Sequence, residues 1–162
     1  MSDEVGPGDA GVQGGVRRDH GCFGCGDENP CGLRLRFEPT APGAVEARFV
    51  PRRQDEGFFG VVHGGIVTAM LDEAMAWASF SADVWAMTAK MEVRFRRPVQ
   101  VGAELRVIGR VVGARGKLIE AAGEVRSADD GALLAEATAT FVRVPAEQAE
   151  AWKARYVGEP AA

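Results

Sequence analysis

One long apolar stretch near the middle of the chain restricts the fold more than any other feature. Between Gly64 and about Phe80, apolar residues are too dense to form one stripe on an otherwise polar helix. A helix that is apolar nearly all round is a buried helix. Its apolar members are Ile66, Val67, Ala69, Met70, Leu71, Ala74, Met75, Ala76, Trp77, Ala78 and Phe80. The rest of the chain must therefore enclose this helix.

Alternating runs on both sides of this stretch predict β-strands. Residues 33–37 and 45–49 alternate apolar and polar side chains before it, and residues 91–95 do so after it, until Pro98 ends the run near Arg97. Three further runs lie at about 104–112, 117–126 and 133–144, joined by turns at 113–116 and 129–131. Such short connections require antiparallel neighbours. Residues 146–156 are predicted to form a short terminal helix.

Two strands, a buried helix and four strands indicate an α+β fold, because strands and helices do not alternate. A curved antiparallel sheet of about six strands wrapped round a long central apolar helix is the hotdog arrangement, although the periodicity alone also permits other α+β layouts. We predict one domain over residues 20–145. The glycine-rich residues 1–19 are expected to be a disordered tail, and residues 146–162 a short helix and tail.

The charge balance excludes broad classes of partner. Nineteen Lys and Arg residues against 23 Asp and Glu give a net charge of -4, which leaves no global positive field for nucleic acid or an anionic membrane. No run approaches the roughly 20 apolar residues that cross a bilayer, and the N-terminus has no apolar signal core. Three cysteines make a poor disulfide framework. We expect a cytoplasmic protein with no nucleic-acid or membrane partner.

The buried helix carries two adjacent carboxylates that cannot share one role. At 100° per residue, Asp72 lies on a face of small residues that includes Thr68 and Ala76, whereas Glu73 points toward Met70 and Trp77. A carboxylate inside such a helix costs several kcal/mol unless it is paired, solvated or protonated. The small neighbours of Asp72 indicate a pocket. The alternative is that Asp72 reaches solvent or pairs with Arg94 or Arg96.

His63, Gly64 and Gly65 precede this helix and form a second candidate element. Backbone N–H groups at a helix N-terminus attract negative charge, and two glycines leave a ligand room to approach. This could be an oxyanion hole. A Gly-Gly pair before a helix is also a common turn, and a single histidine more often has a structural role.

These residues resemble the hotdog-fold thioesterases of the PaaI-like group, similar to phenylacetyl-CoA thioesterase. The resemblance covers about residues 20–145, and its most specific part is His63-Gly64-Gly65 with Asp72 nine positions after the histidine. Supporting segments are Cys22 to Leu33, Met87 to Met91, and Arg97-Pro98.

The resemblance implies an acyl-CoA thioesterase acting on a small or aromatic acyl group. Asp72 takes the position of the catalytic carboxylate, as nucleophile or as general base for water. Gly64 takes that of the oxyanion donor, and His63 shapes the turn or contacts the thioester. Thr88 matches a hydroxyl residue that orients the water or carboxylate and comes from the partner subunit, although its strand parity is that of Lys90.

One position departs from the family pattern. Several relatives have an asparagine six positions before the histidine, where this chain has Gly57. The catalytic set is therefore reduced, or is completed by a residue such as Gln54.

Other polar residues are candidates for ligand binding. Basic residues at a hairpin turn and near a strand end suit the CoA phosphates, or else form a solvated basic face: Arg94, Arg96, Arg97, Arg115 and Lys117. Four possible zinc ligands lie near the N-terminus: His20, Cys22, Cys25 and Cys31. Their spacing is not that of a standard finger, so free thiols in a loop are the preferred interpretation. We predict no cofactor and no metal.

Two rival functions stay open. A hotdog dehydratase or hydratase would carry a His-Phe-Pro-Gly-like segment, which is absent from the sequence. A non-catalytic acyl-CoA binding module would not require a carboxylate aimed at the thioester. Because a lone curved sheet leaves edges exposed, we expect a homodimer or a homotetramer built as a dimer of dimers.

Overall fold

The computed structural model describes residues 15–158, which form a six-stranded antiparallel sheet and two α-helices. This confirms the predicted α+β hotdog fold. The strands are β1 (Glu38–Ala41), β2 (Ala44–Phe49), β3 (Ala86–Phe95), β4 (Leu105–Arg115), β5 (Leu118–Ser127) and β6 (Leu133–Arg143). The helices are α1 (Gly64–Ser81) and α2 (Ala146–Tyr156).

The sheet has the order β1-β2-β4-β5-β6-β3, so β1 and β3 are its edge strands. Helix α1 packs against β2 to β6, and the side chains of Met70, Leu71 and Met75 are fully buried between helix and sheet. At Gly109 of β4 the two backbones nearly touch, since a Cβ there would lie 2.0 Å from the carbonyl oxygen of Ala74. This contact fixes the depth of the helix in the sheet.

The predicted strand at residues 33–37 is wrong, and the first strand begins at Glu38. Leu33, Leu35 and Phe37 are buried, so the alternation reports burial correctly. Their backbone does not pair with a strand, however: the N–H groups of Leu33 and Leu35 donate to the carbonyls of Phe23 and Gly24. An extended loop that crosses the core can thus show the same alternation of apolar and polar side chains as a β-strand.

The turn predicted at residues 113–116 is also misplaced. Strand β4 continues to Arg115, and the chain reverses at Gly116, which has a positive φ of 59°. The register between β4 and β5 shifts between Val111 and Gly113. The glycine that suggested a turn therefore lies at an irregularity inside the strand.

The described part of the predicted N-terminal tail, residues 15–19, attaches to the end of α2, and there the prediction of disorder is wrong. Val16 and Val157 form a β-bridge, and the Arg17 N–H donates to the carbonyl oxygen of Tyr156 over 2.9 Å. Residues 1–14 of the tail lie outside the described residues. Within residues 15–158, neither helix is long and apolar enough to cross a bilayer.

Candidate active site

The start of helix α1 leaves one backbone N–H available. His63 is the N-cap, and its Nδ1 accepts a hydrogen bond of 2.9 Å from the Gly65 N–H. The carbonyl of His63 accepts from the next two amides, those of Ile66 and Val67. Among residues 15–158, no acceptor is hydrogen-bonded to the Gly64 N–H. This amide lies at the positive end of the helix dipole and can bind an anionic oxygen.

A buried carboxylate, which the sequence reasoning missed, positions this turn. The Asp55 side chain is 2% exposed and accepts hydrogen bonds from the backbone N–H and the guanidinium of Arg52. The backbone carbonyl of Asp55 accepts a 2.9 Å hydrogen bond from the His63 N–H. The available signal was an acid three residues after Arg52, because an acid at this spacing can accept from the backbone N–H of the residue that starts the turn.

The Asp72 carboxylate is half-buried and accepts a 2.7 Å hydrogen bond from the Thr88 hydroxyl of the same chain. The resemblance had implied a threonine from a partner subunit, so this contact is a difference. Neither of the ion pairs suggested for Asp72 is formed, because Arg94 pairs with Glu92 and Arg96 pairs with Glu136. A short bond to a carboxylate fixes its orientation.

A bulge in β3 explains how Thr88 reaches the helix. The pairing of β3 with β6 shifts between Thr88 and Lys90, so that Thr88 lies opposite Phe141 and Lys90 opposite Thr140. Ala89 is the extra residue, and an extra residue reverses the alternation of side chains. Thr88 therefore shares a face with the buried Phe141, although simple counting placed it with Lys90.

Gly64 and Asp72 do not meet within one copy of the chain. They are eight residues apart on one helix, a rise of about 12 Å. Groups that act on one reacting atom must lie within about 3.5 Å of it. A site that uses both groups needs each from a different copy.

The positions flanking the turn leave little space. A Cβ at Gly57 would lie 3.0 Å from the Cα of His63, and one at Gly65 would lie 3.0 Å from the His63 Nδ1. A larger residue at position 57 would therefore require His63 to shift by a few tenths of an ångström. Gln54 is exposed in a 3-10 helix spanning Arg53–Asp55.

The basic candidates lie at opposite ends of β3. Arg94 is near its end, whereas Arg115 and Lys117 adjoin its start, because Leu118 and Met87 both pair with Val142. The seven residue-to-residue steps from Met87 to Arg94 span about 23 Å. The two groups cannot bind the same phosphate in one copy. Arg115 and Lys117 form no salt bridge within residues 15–158.

Glu73 lies on a different side of α1 from Asp72, and it contacts the N-terminal loop. Its Oε1 accepts from the Trp77 Nε1 over 3.1 Å and lies 3.8 Å from the Cys22 sulfur. Burial, and then the nearby Cys22, raise the pKa of Glu73 to about 7. A hydrogen bond from the Cys25 thiol lowers the pKa of Cys22 to about 5. The same hydrogen bond, together with burial, raises the pKa of Cys25.

The four suggested zinc ligands do not come together. Cys31 is exposed. The ring nitrogens of His20 face the backbone, with Nε2 3.1 Å from the Arg17 carbonyl and Nδ1 accepting from the Cys22 N–H. Only Cys22 and Cys25 of that set share a cluster, and its third member is Glu73.

Comparisons with known proteins agree with this architecture. The sequence profile of the thioesterase superfamily matches residues 59–134. The acyl-coenzyme A thioesterase THEM4 of Xenopus laevis is 29% identical over 108 residues, which cover 67% of this chain and 49% of that protein. The chain thus spans about two fifths to one half of the length of the curated relatives it matches.

Two solved structures are similar at 28% identity. A thioesterase superfamily protein superposes with a TM-score of 0.69, covering 72% of this chain and 60% of that one. A mutant of the phenylacetic acid degradation protein PaaI from Thermus thermophilus superposes with a TM-score of 0.63, covering 69% of this chain and 95% of that one. By sequence and by fold, the chain is therefore similar to the thioesterase superfamily of hotdog-fold proteins, and PaaI is among the solved structures that it resembles.

Proposed function

We propose that this protein is an acyl-CoA thioesterase in which Asp72 is the catalytic carboxylate and the Gly64 N–H is the oxyanion donor. The observation that carries the proposal is the 2.7 Å hydrogen bond from Thr88, which aims a half-buried carboxylate out of an apolar helix. Acyl-CoA binding alone would not require this arrangement. The similarity to a phenylacetic acid degradation protein supports a small or aromatic acyl group.

The reaction requires an attacking group and a donor for the developing charge. Asp72 either removes a proton from water, whose oxygen attacks the thioester carbon, or attacks that carbon itself. The Gly64 N–H stabilises the negative charge on the carbonyl oxygen. In the general-base route the C–S bond then breaks, the CoA sulfur takes up the proton, and the carboxylic acid is released directly. In the nucleophilic route C–S cleavage leaves an anhydride between the acyl group and Asp72, which a water molecule then hydrolyses. Both routes give a carboxylic acid, a regenerated Asp72 carboxylate and free CoA. In this scheme His63 shapes the turn, because its Nδ1 already holds the Gly65 N–H.

Two copies of the chain are needed to assemble this site. Strand β3 is an edge strand whose Met87 and Phe95 side chains are more than half exposed. Antiparallel pairing of two β3 strands about Met91 and Glu92 would place Thr88 opposite the second Phe95. A Cβ on Gly64 would lie 3.6 Å from the Phe95 ring. Such a homodimer, alone or in a tetramer, brings Asp72 of one copy toward Gly64 of the other.

Arg115 and Lys117 are the better candidates for the CoA phosphates, because Arg94 and Arg96 already pair with glutamates. Phosphate oxygens need cationic partners. Replacing both with alanine should raise KM more than it lowers kcat. The three free thiols fit our further proposal that the protein works in the reducing cytoplasm.

Thiol release from short, aromatic and long acyl-CoA substrates tests the activity. We expect turnover by the wild type, and its loss in Asp72→Asn and Asp72→Ala with the fold and oligomer unchanged. Asp83→Asn is the matched control, because it removes an exposed carboxylate just beyond the other end of α1. Equal turnover in Asp72→Asn and the wild type would reject the mechanism. No turnover of any substrate would favour an acyl-CoA binding module.

Mixed oligomers test the two-copy site. Asp72→Asn and Gly64→Pro chains, each inactive alone, are co-expressed with different tags and purified together. Mixed dimers purified through both tags should show about one half of the wild-type activity per dimer, because each keeps one of its two sites intact. Absence of any recovery in purified mixed dimers would show that the two groups do not act across copies.

A further inference from the structure

The loop from Cys22 to Cys25 folds over helix α1 and brings two sulfur atoms onto one carboxylate. One ligand atom each from Cys22, Cys25 and Glu73 lie within 4.8 Å of one another. The loop backbone presses against the acid, since a Cβ at Gly24 would lie 2.3 Å from the Glu73 Cδ. Glu73 is about fifty positions from the two cysteines in the chain, so the fold, and not the local sequence, creates the cluster.

The cluster is an unusual place for a glutamate. Within residues 15–158, no lysine or arginine forms a salt bridge with Glu73. Its protein partners are the Trp77 N–H and two thiols. A carboxylate that is partly removed from water without a cation is costly. A bound divalent cation would remove this cost and would also stabilise the two sulfur atoms as thiolates.

The geometry points to a zinc site formed by Cys22, Cys25 and Glu73. Two thiolates select zinc over magnesium or calcium, which prefer oxygen ligands. Tetrahedral zinc, with Zn–S about 2.3 Å and Zn–O about 2.0 Å, requires a sulfur–oxygen separation of about 3.5 Å. The Cys22 sulfur lies 3.8 Å from Oε1 and 3.9 Å from Oε2 of Glu73. This pair is within a few tenths of an ångström of the required separation, and the Cys25 sulfur lies within 4.8 Å of both partners.

All three residues line a cavity of about 290 Å³ together with aromatic side chains of α1 and α2, and this cavity offers room for a fourth ligand. Water can occupy this position, as it does in zinc sites with three protein ligands. The ion would tie the N-terminal loop to the central helix on a side that does not include Asp72. The site is therefore separate from thioester hydrolysis, and its test does not depend on that activity.

Metal content of the full chain tests the inference. The protein is expressed with added zinc, purified under reducing, oxygen-free conditions and analysed by mass spectrometry. We expect about one zinc ion per chain. Cys22→Ser, Cys25→Ser and Glu73→Gln should each lower zinc affinity by more than the roughly 10–100-fold seen when only a supporting group is removed. Cys31→Ser is the matched control, because that thiol is exposed and outside the cluster.

Cobalt substitution provides a second readout. Co²⁺ added to the metal-free chain should give sulfur-to-cobalt charge-transfer absorption in the wild type and in Cys31→Ser, and none in the two cluster serine variants. A wild type that binds neither ion would overturn the inference. Zinc binding that survives in Glu73→Gln, or that falls equally in Cys31→Ser, would also overturn this three-residue site. Circular dichroism of each metal-free variant checks that it folds.

Discussion

The backbone amide of Gly64 can be removed without removing the helix that carries it. Gly64 is the first residue of α1, where proline is well tolerated because the first helical N–H has no partner within the helix. The preceding His63 has a ψ of 134°, which is the conformation a residue before proline prefers. Gly64→Pro therefore deletes one hydrogen-bond donor and little else.

The two effects of this substitution should have opposite signs. Loss of one oxyanion donor costs about 2.7 to 4 kcal/mol of transition-state stabilisation, so kcat should fall by about 10²- to 10³-fold. Folding should instead become more favourable by about 0.4 to 1 kcal/mol, because proline restricts the unfolded chain. A variant that is more stable and much less active cannot be explained by damage to the fold.

Gly64→Ala is the control for the added side chain. Its Cβ would lie 3.6 Å from the Phe95 Cζ, which is ordinary contact, and it keeps the N–H. Thiol release gives kcat for both variants, and denaturant unfolding gives their stability. If Gly64→Pro and Gly64→Ala have kcat values within a few-fold of each other, the Gly64 amide is not the oxyanion donor.

Three further substitutions test other contacts. Thr88→Val should lower kcat by about 10- to 100-fold through loss of a hydrogen bond to a charged group, while Thr88→Ser should retain most activity in the same assay. Gly109→Ala should destabilise the protein by about 3 kcal/mol or more in denaturant unfolding, because its Cβ would meet the Ala74 backbone, whereas Gly113→Ala has open space and should cost little. His63→Ala removes the side-chain cap of α1 and should cost about 1 kcal/mol in the same unfolding measurement.

Clear outcomes would contradict each expectation. Full activity in Thr88→Val would mean that its hydroxyl does not orient the carboxylate. Equal stability of Gly109→Ala and Gly113→Ala would mean that helix and sheet are not in backbone contact. An unchanged unfolding midpoint in His63→Ala would mean that the cap contributes nothing.

Helical periodicity was enough to predict the central helix and to separate its two acids. The apolar run between Gly64 and Phe80 depends only on neighbouring residues, so its bounds could be read from the sequence. The same local geometry placed Asp72 and Glu73 on different faces, and in the structure they contact Thr88 and Trp77 respectively. Local patterns succeed where the determining contacts are also local.

Features set by distant contacts could not be predicted in this way. The bulge at Ala89 follows from how β3 pairs with β6, and no residue type at that position marks it. The alternation at residues 33–37 reflects burial in the core, where this segment is hydrogen-bonded to the loop from Cys22 to Cys25. The cluster of Glu73 with Cys22 joins residues 51 positions apart, so a search for ligands by spacing selected Cys31 instead.

The two edges of the sheet are unequal, and this limits how the protein can assemble. Strand β1 has only four residues and contains Pro39, which cannot donate to a neighbouring strand. Strand β3 has ten residues and no proline. A sheet with one blocked edge and one open edge can add a single further copy and then stops. In the β3-paired dimer proposed above, the open edge of each sheet is already used, and the short, proline-containing β1 edges disfavour further strand addition into open-ended fibres.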